Sequence, residues 1–224
     1  MPEPVREPLP EARSRAQRER ILIAAQTCFV RHGFHAATMS KIAETAGMSP
    51  GLIYRYFDGK SAIILAIIER QLEVARADIA ALDADTDLVP LFERLFDAWR
   101  TGESCCPSPA LLLEMTAEAT RDPAIARALA EADRVTGAAL LEWLEQTRRN
   151  GARVDGEDVV DLEARAFLLR CLLGGLAIRA IREPGLDAEV LRRALRLVLE
   201  APAASAPPAE TPADCRYGAL PNDQ

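Results

Sequence analysis

The sequence predicts an all-α protein, and three observations carry that prediction. Between about residues 14 and 200, apolar residues recur at spacings of three and four, the signature of helices that bury one face. Asp, Ser, Gly and Pro fall at the ends of these periodic stretches, where helices start and stop. No run of alternating β-branched residues competes with them. With 224 residues, 49% of them hydrophobic, the chain can bury a sizeable core as one moderately large domain or as a small domain joined to a larger one.

The first helix is expected over Ser14 to His32, closed by Gly33, a residue suited to the backbone that follows a helix end. A short helix follows Thr38, where Met39, Ile42, Ala43 and Ala46 make one apolar face and Gly47 ends it. Ser49 is a natural N-cap and Pro50 fits a first helical position, so a third helix starts at once. Steps of about 100° set Ile53 and Phe57 on one face of it and Gly51 and Arg55 on the opposite one, with Tyr54 and Tyr56 at the sides. A fourth helix runs from Lys60 or Ser61 to about Leu82, with a stripe of Ile64, Ile68, Leu72, Ala75, Ile79 and Leu82. Later helices are expected over Asp87 to Arg100, Pro107 to Arg121, Asp122 to Asn150, Asp155 to Arg182 and Asp187 to Glu200. The Pro-rich start, residues 1–14, and the Pro- and Ala-rich end, residues 201–224, lack the large apolar residues that offset ordering entropy and are expected to be disordered.

Charge divides along the chain. The first 60 residues hold 9 Lys and Arg against 6 Asp and Glu, a net +3, while the rest hold 18 against 28, a net −10. An acidic body repels nucleic acid everywhere except where a basic surface is presented, so one small docking face is expected. That face lies in MSPGLIYRYFDGK. Ala43, Gly47 and Ile53 have the spacing of a helix-turn-helix, in which a small residue lets the helices approach, glycine permits the turn, and isoleucine locks the second helix down. A helix exposing Gly51 and Arg55 can enter a major groove while Tyr54 and Tyr56 reach the phosphates on either wall. Lys41, opposite the buried face of its own helix, adds a phosphate contact.

The stretch GFHAATMSKIAETAGMSPGLIYRYFDGKSAIILAI resembles the DNA-binding domain of the TetR family of transcriptional regulators. The likeness spans about residues 15–70 and includes Phe29, Gly33, Phe34, Thr38, Ile42, Ala43, Gly47, Gly51, Tyr54, Tyr56, Phe57 and Lys60. It implies a homodimer with a helix-turn-helix reader at residues 15–60 and, at residues 61–200, a helical body that binds an effector and dimerises. Thr38, Ser49, Gly51, Tyr54, Tyr56 and Lys60 would then touch phosphate or sugar of double-stranded operator DNA, with Pro50 and Arg55 at variable base-facing positions. Pro50 departs from the lysine often found there, and offers a thymine methyl only an apolar contact.

The body reads less sharply. Phe92, Phe96 and Trp99 share one helix face, and Leu112, Met115, Leu140, Trp143, Phe167 and Cys171 are candidates to meet them. Such a set is ordinarily core; in a ligand-regulated protein the same positions line a cavity for a small apolar or amphipathic effector, oriented by Glu114, Thr116 or Glu118. LLLEMTAEATRDPAIARALAEADR is similar to the body of TetR-type regulators that control drug efflux and other small-molecule responses. Ala166, Leu169, Leu173, Leu176, Ala177 and Ala180, with Gly174 and Gly175 for close approach, and Leu191, Leu195 and Val198 on the last helix, form stripes for a four-helix dimer interface or for ordinary intrachain core.

Other classes fare worse. No Ser/His/Asp or Cys/His arrangement, P-loop or HExxH is present, and His32 and His35 both fall in the DNA-binding unit, so neither an enzyme nor a metal or other cofactor is expected. The five cysteines contain no CxxC, and adjacent Cys105 and Cys106 lack a basic neighbour to depress their pKa, so reduced thiols are expected. The longest apolar runs, such as Ala62 to Ile68, fall far short of the roughly 20 residues that span a bilayer. With no apolar core for a secretory signal at the start, a cytoplasmic location without membrane partners is expected. An effector-independent architectural or cell-cycle DNA-binding protein is the alternative to a repressor that leaves a palindromic operator when an effector binds.

Overall fold

A computed structural model describes residues 10–102, 108–150 and 161–200. Among them the chain forms α1 (Pro10–Ala36), α2 (Met39–Ala46), α3 (Pro50–Tyr54), α4 (Lys60–Ala80), α5 (Leu88–Thr101), α6 (Pro109–Ala119), α7 (Pro123–Arg149), α8 (Leu162–Arg182) and α9 (Ala188–Leu199), with no strand. Helix starts follow cap chemistry closely. The side chains of Thr38, Ser49, Asp87, Asp122, Asp161 and Asp187 each accept a hydrogen bond from a first-turn backbone N–H.

Three boundaries differ from the sequence reading. α1 begins at Pro10 and continues to Ala36, interrupted at Gly33, whose φ of 74° and ψ of 160° break the helical path. α6 begins at Pro109 behind Ser108, since proline is best placed in the first turn where no N–H is needed. α8 begins at Leu162, capped by Asp161; its expected start at Asp155 lies outside the described residues, as do residues 1–9, the tail 201–224, Cys105 and Cys106.

The apolar faces converge on two cores. The first gathers Ile21, Ala25 and Phe29 of α1, Ile42 and Ala43 of α2, Ile53 of α3, Phe57, and Ile63, Ile64, Ile67 and Ile68 of α4. Leu111 and Met115 of α6 and Ile125 of α7 are buried in the same cluster. The second gathers Phe92 and Phe96 of α5, Leu140, Trp143 and Leu144 of α7, Leu162, Leu169 and Leu176 of α8, and Leu191, Leu195 and Leu199 of α9.

Two helices join these cores. α4 starts inside the first and ends with Ile79, and Leu82 just past its end, packed on the second, and α7 runs the same way, from Ile125 to Trp143. They are therefore parallel and pinned at both ends. At the start, the Asp122 carboxylate is hydrogen-bonded by Ser61; at the far end, Trp143 Nε1 donates to the Asp83 carbonyl at 3.2 Å.

Two tests follow from these packings. Ile53 has no solvent exposure, so Ile53→Ala should remove about 2–5 kcal/mol of stability, read from urea denaturation. The hydrogen bond from the Ala124 backbone N–H is the main influence holding the Asp122 carboxyl below its ordinary value, with further help from Ile125, Ser61 and Arg127. A depressed carboxylate pKa stabilises the fold above the unfolded value, and the contribution is lost as pH falls through the folded one. Asp122→Asn should therefore flatten the fall in melting temperature below about pH 4.

Candidate nucleic-acid interface

The helix-turn-helix is built by backbone chemistry at two points. Gly47 adopts φ 60° and ψ 41°, a left-handed conformation that glycine takes without strain, and Met48 N donates to the Ala43 carbonyl at 2.9 Å to close α2. Arg20 Nη2 donates to the Gly47 carbonyl at 3.4 Å, tying the turn to α1. Ser49 Oγ then accepts from Leu52 N at 3.3 Å and starts α3 at once.

On α3 the expected faces are realised. Ile53 and Phe57 are buried, while Ser49, Pro50, Gly51, Tyr54 and Arg55 are exposed. Tyr54 is 54% exposed, a large aromatic surface left in solvent. The Arg55 backbone N–H donates to the Leu52 carbonyl at 3.2 Å, while its guanidinium has no hydrogen-bond or ion-pair partner among the described residues and is free to meet an outside acceptor. Tyr56 differs from Tyr54 in being half-buried against the first core. An α-helix ending this way presents a narrow polar ridge of the size that a major groove admits.

The other expected contacts have structural duties as well. Thr38 is exposed, and its hydroxyl caps α2 by accepting from Lys41 N at 3.2 Å. Lys41 Nζ donates to the Ala36 carbonyl at 3.3 Å. Lys60 Nζ donates to the carbonyls of Phe34 at 2.8 Å and His35 at 3.3 Å and lies 4.5 Å from the Phe34 ring centroid. Both lysines thus hold the end of α1, a role their positions in the sequence did not announce.

The residues expected around an effector do not form one set. Phe92, Phe96 and Trp143 are buried in the second core, and Trp99 packs on it. Met115 lies in the first core instead, because α6 packs its buried face on α1. Leu112 is half-buried, and Thr116 is exposed with its hydroxyl donating to the Leu112 carbonyl at 2.7 Å. Phe167, 60% exposed, and Cys171 face outward from α8. Glu114 and Glu118 do not turn toward the second core; they meet the end of α1. A cleft of about 370 Å³ between α5 and α9 touches only Phe96 of the expected set, and its rim is charged, with Arg192 Nε 2.9 Å from Glu93 Oε1.

The expected dimer stripes also need correction. Leu169, Leu176, Ala180, Leu191 and Leu195 are buried within the chain and Leu173 is half-buried, because these faces close the second core. Val198 is exposed. The apolar surface left open on these helices lies elsewhere, on Phe167, Leu168, Ile178 and Ile181 of α8 and Val190, Leu197 and Val198 of α9. Each of the two helices thus carries apolar residues outside the longer stripe that closes the second core. Among the described residues, no group of three or more His, Cys, Asp or Glu is arranged to hold a metal, and no helix is long and apolar enough to cross a membrane.

Known proteins share this arrangement. Residues 21–67 match the model of the bacterial regulatory proteins of the tetR family. The chain is 29% identical over 191 residues to the HTH-type transcriptional repressor AcnR of Corynebacterium diphtheriae, spanning 85% of this chain and 94% of that protein. It is 36% identical over 116 residues to the HTH-type transcriptional regulator UidR of Escherichia coli K12, spanning 50% and 56% respectively. The solved structure of Salmonella enterica GusR superposes with a TM-score of 0.67 at 29% identity, over 88% of this chain and 99% of that one. An exposed reading helix on an all-helical frame, joined by α4 to a helical body, carries at residues 21–67 the match to the tetR family of bacterial regulatory proteins, and the chain is similar over most of its length to DNA-binding transcriptional regulators.

Proposed function

We propose that this regulator is a homodimeric repressor that occupies a palindromic operator and leaves it when a small apolar or amphipathic effector enters the body. The observation that carries this reading is the separation of two cores bridged by α4 and α7, with an exposed reading face at one end. Trp99 Nε1 and Thr147 Oγ1 are buried on α5 and α7 with no hydrogen-bond partner among the described residues. A buried donor or hydroxyl left unpaired costs about 1–3 kcal/mol, which a ligand with a matching polar group would recover. Phe96 and Trp143 belong to the second core and Trp99 packs on it, whereas Met115, expected with them from the sequence, lies in the first.

The dimer reading rests on the outward stripe of α8 and α9. Seven large apolar side chains there are more than 35% exposed, and a Cβ added at Gly174 or Gly175 would meet nothing within 4 Å. So many exposed apolar side chains on two helices mark an interaction site, and a second copy covers it symmetrically. Two readers would then sit about 34–36 Å apart, matching successive major grooves on one face of DNA. Pro50 and Arg55 face the bases, while Thr38, Ser49, Gly51, Tyr54 and the two lysines lie toward the phosphates. Effector and operator oppose each other reciprocally, so a 100-fold loss of operator affinity requires an effector preference of about 2.7 kcal/mol for the DNA-incompetent state.

The test is an electrophoretic shift on the DNA upstream of the chain's own coding sequence, titrated with candidate compounds. Arg55→Ala should change which sequences are preferred, whereas Tyr54→Ala should weaken all of them alike. Leu197→Asp, at a side chain 76% exposed, should leave the fold intact, give a monomer in sedimentation and lower operator affinity at least about 100-fold. A Leu197→Asp protein that stays dimeric and binds normally would refute the interface.

A further inference from the structure

The end of α1 is gripped from the body. Gly33 turns the chain out of the helix, and Phe34 N then donates to Glu114 Oε2 on α6 at 2.9 Å. One turn further along α6, Glu118 Oε2 lies 3.6 Å from His35 Nε2, with the Glu118 side chain only 10% exposed. At that distance the His35 ring, on the reading unit, is a neighbour of the withdrawn carboxylate and not a hydrogen-bond donor to it, so the Glu114 bond to Phe34 is the stronger of the two contacts. Between the two carboxylates Met115 is buried in the first core, so α6 holds α1 by one apolar and two polar contacts.

The same short segment is bound from the other side. Its carbonyls at Phe34 and His35 accept from Lys60, the first residue of α4, and its Ala36 carbonyl accepts from Lys41 of α2. Residues 33–36 therefore link α6 to the two helices that flank α3.

We infer that Glu114 and Glu118 are positioning residues that fix the angle of the reading unit to the body. Movement of α6 reaches α3 through Phe34 and His35, in parallel with the α4 and α7 connection. Glu114 acts as a hydrogen-bond acceptor, so glutamine can replace it and leucine cannot. The consequence for DNA rests on the two-half-site reading proposed above; the local consequence does not.

The test uses the full-length protein in three forms: wild type, Glu114→Gln and Glu114→Leu. Amide hydrogen exchange should quicken by about tenfold over residues 34–41 in Glu114→Leu, the size of one charge-assisted hydrogen bond, with α5, α8 and α9 unchanged. Glu114→Gln should stay within about twofold of wild type, a rescue that a general loss of stability would not give. On operator duplexes chosen by the wild type from a random pool, with spacers altered by one or two base pairs, Glu114→Leu should lose about tenfold of the spacer discrimination. Exchange unchanged over residues 34–41, or a glutamine variant as impaired as the leucine one, would overturn the inference. If the wild type itself ignores spacer length, the two-half-site reading fails while the exchange result still decides the latch. Glu118→Leu gives a second variant, expected to quicken exchange at His35, should Glu114→Leu not fold.

Discussion

The reading unit cannot close its own core, and the rest of the structure follows from that. α1 to α4 bring isoleucines, alanines and phenylalanines to one centre, yet Leu111, Met115 and Ile125 from the body complete it. Each is at most 2% exposed, and burying such a side chain is worth about 1.5–3 kcal/mol. The body is thus a structural part of the reader. A change in the placement of α6 or α7 cannot leave the reading helix undisturbed.

This constraint explains the two parallel connectors. From Ser61 to Asp83 and from Asp122 to Trp143, α4 and α7 cover about the same length, close to 30 Å at 1.5 Å per residue. Their starts are tied by Ser61 and Asp122 and their ends by Asp83 and Trp143. A helix held at both ends transmits displacement instead of absorbing it. The second core lies at one end of the pair, and α3 lies beyond the other.

Local signals made the reader legible in the sequence. Thr38, Gly47, Ser49 and Pro50 announce caps and turns through their own backbone chemistry, and Ile53 and Phe57 fall on one face by simple helical geometry. The body lacked such signals. An apolar stripe says that a face is buried but not against what, so Met115, expected opposite Phe92 and Phe96, lies in the other core. α8 and α9 are apolar on more than one face; the longer stripe, through Leu169, Leu176, Leu191 and Leu195, closes the chain's own core, and the other, through Phe167, Ile178 and Leu197, stays open. Nothing in local sequence marks the partners of Glu114 and Glu118, since Glu114 meets Phe34, 80 residues away, and Glu118 meets His35.

Native-state hydrogen exchange on the full-length chain, followed as urea is added, tests the shared core most directly. If the body completes the reader, the slowest amides of residues 21–29 and 63–68 open together with those of residues 111–115 and 125, with one free energy and one urea dependence. Opening of the α1 to α4 amides at a lower free energy and with a smaller urea dependence, while α6 and α7 remain protected, would show that the reader folds alone and would contradict the account.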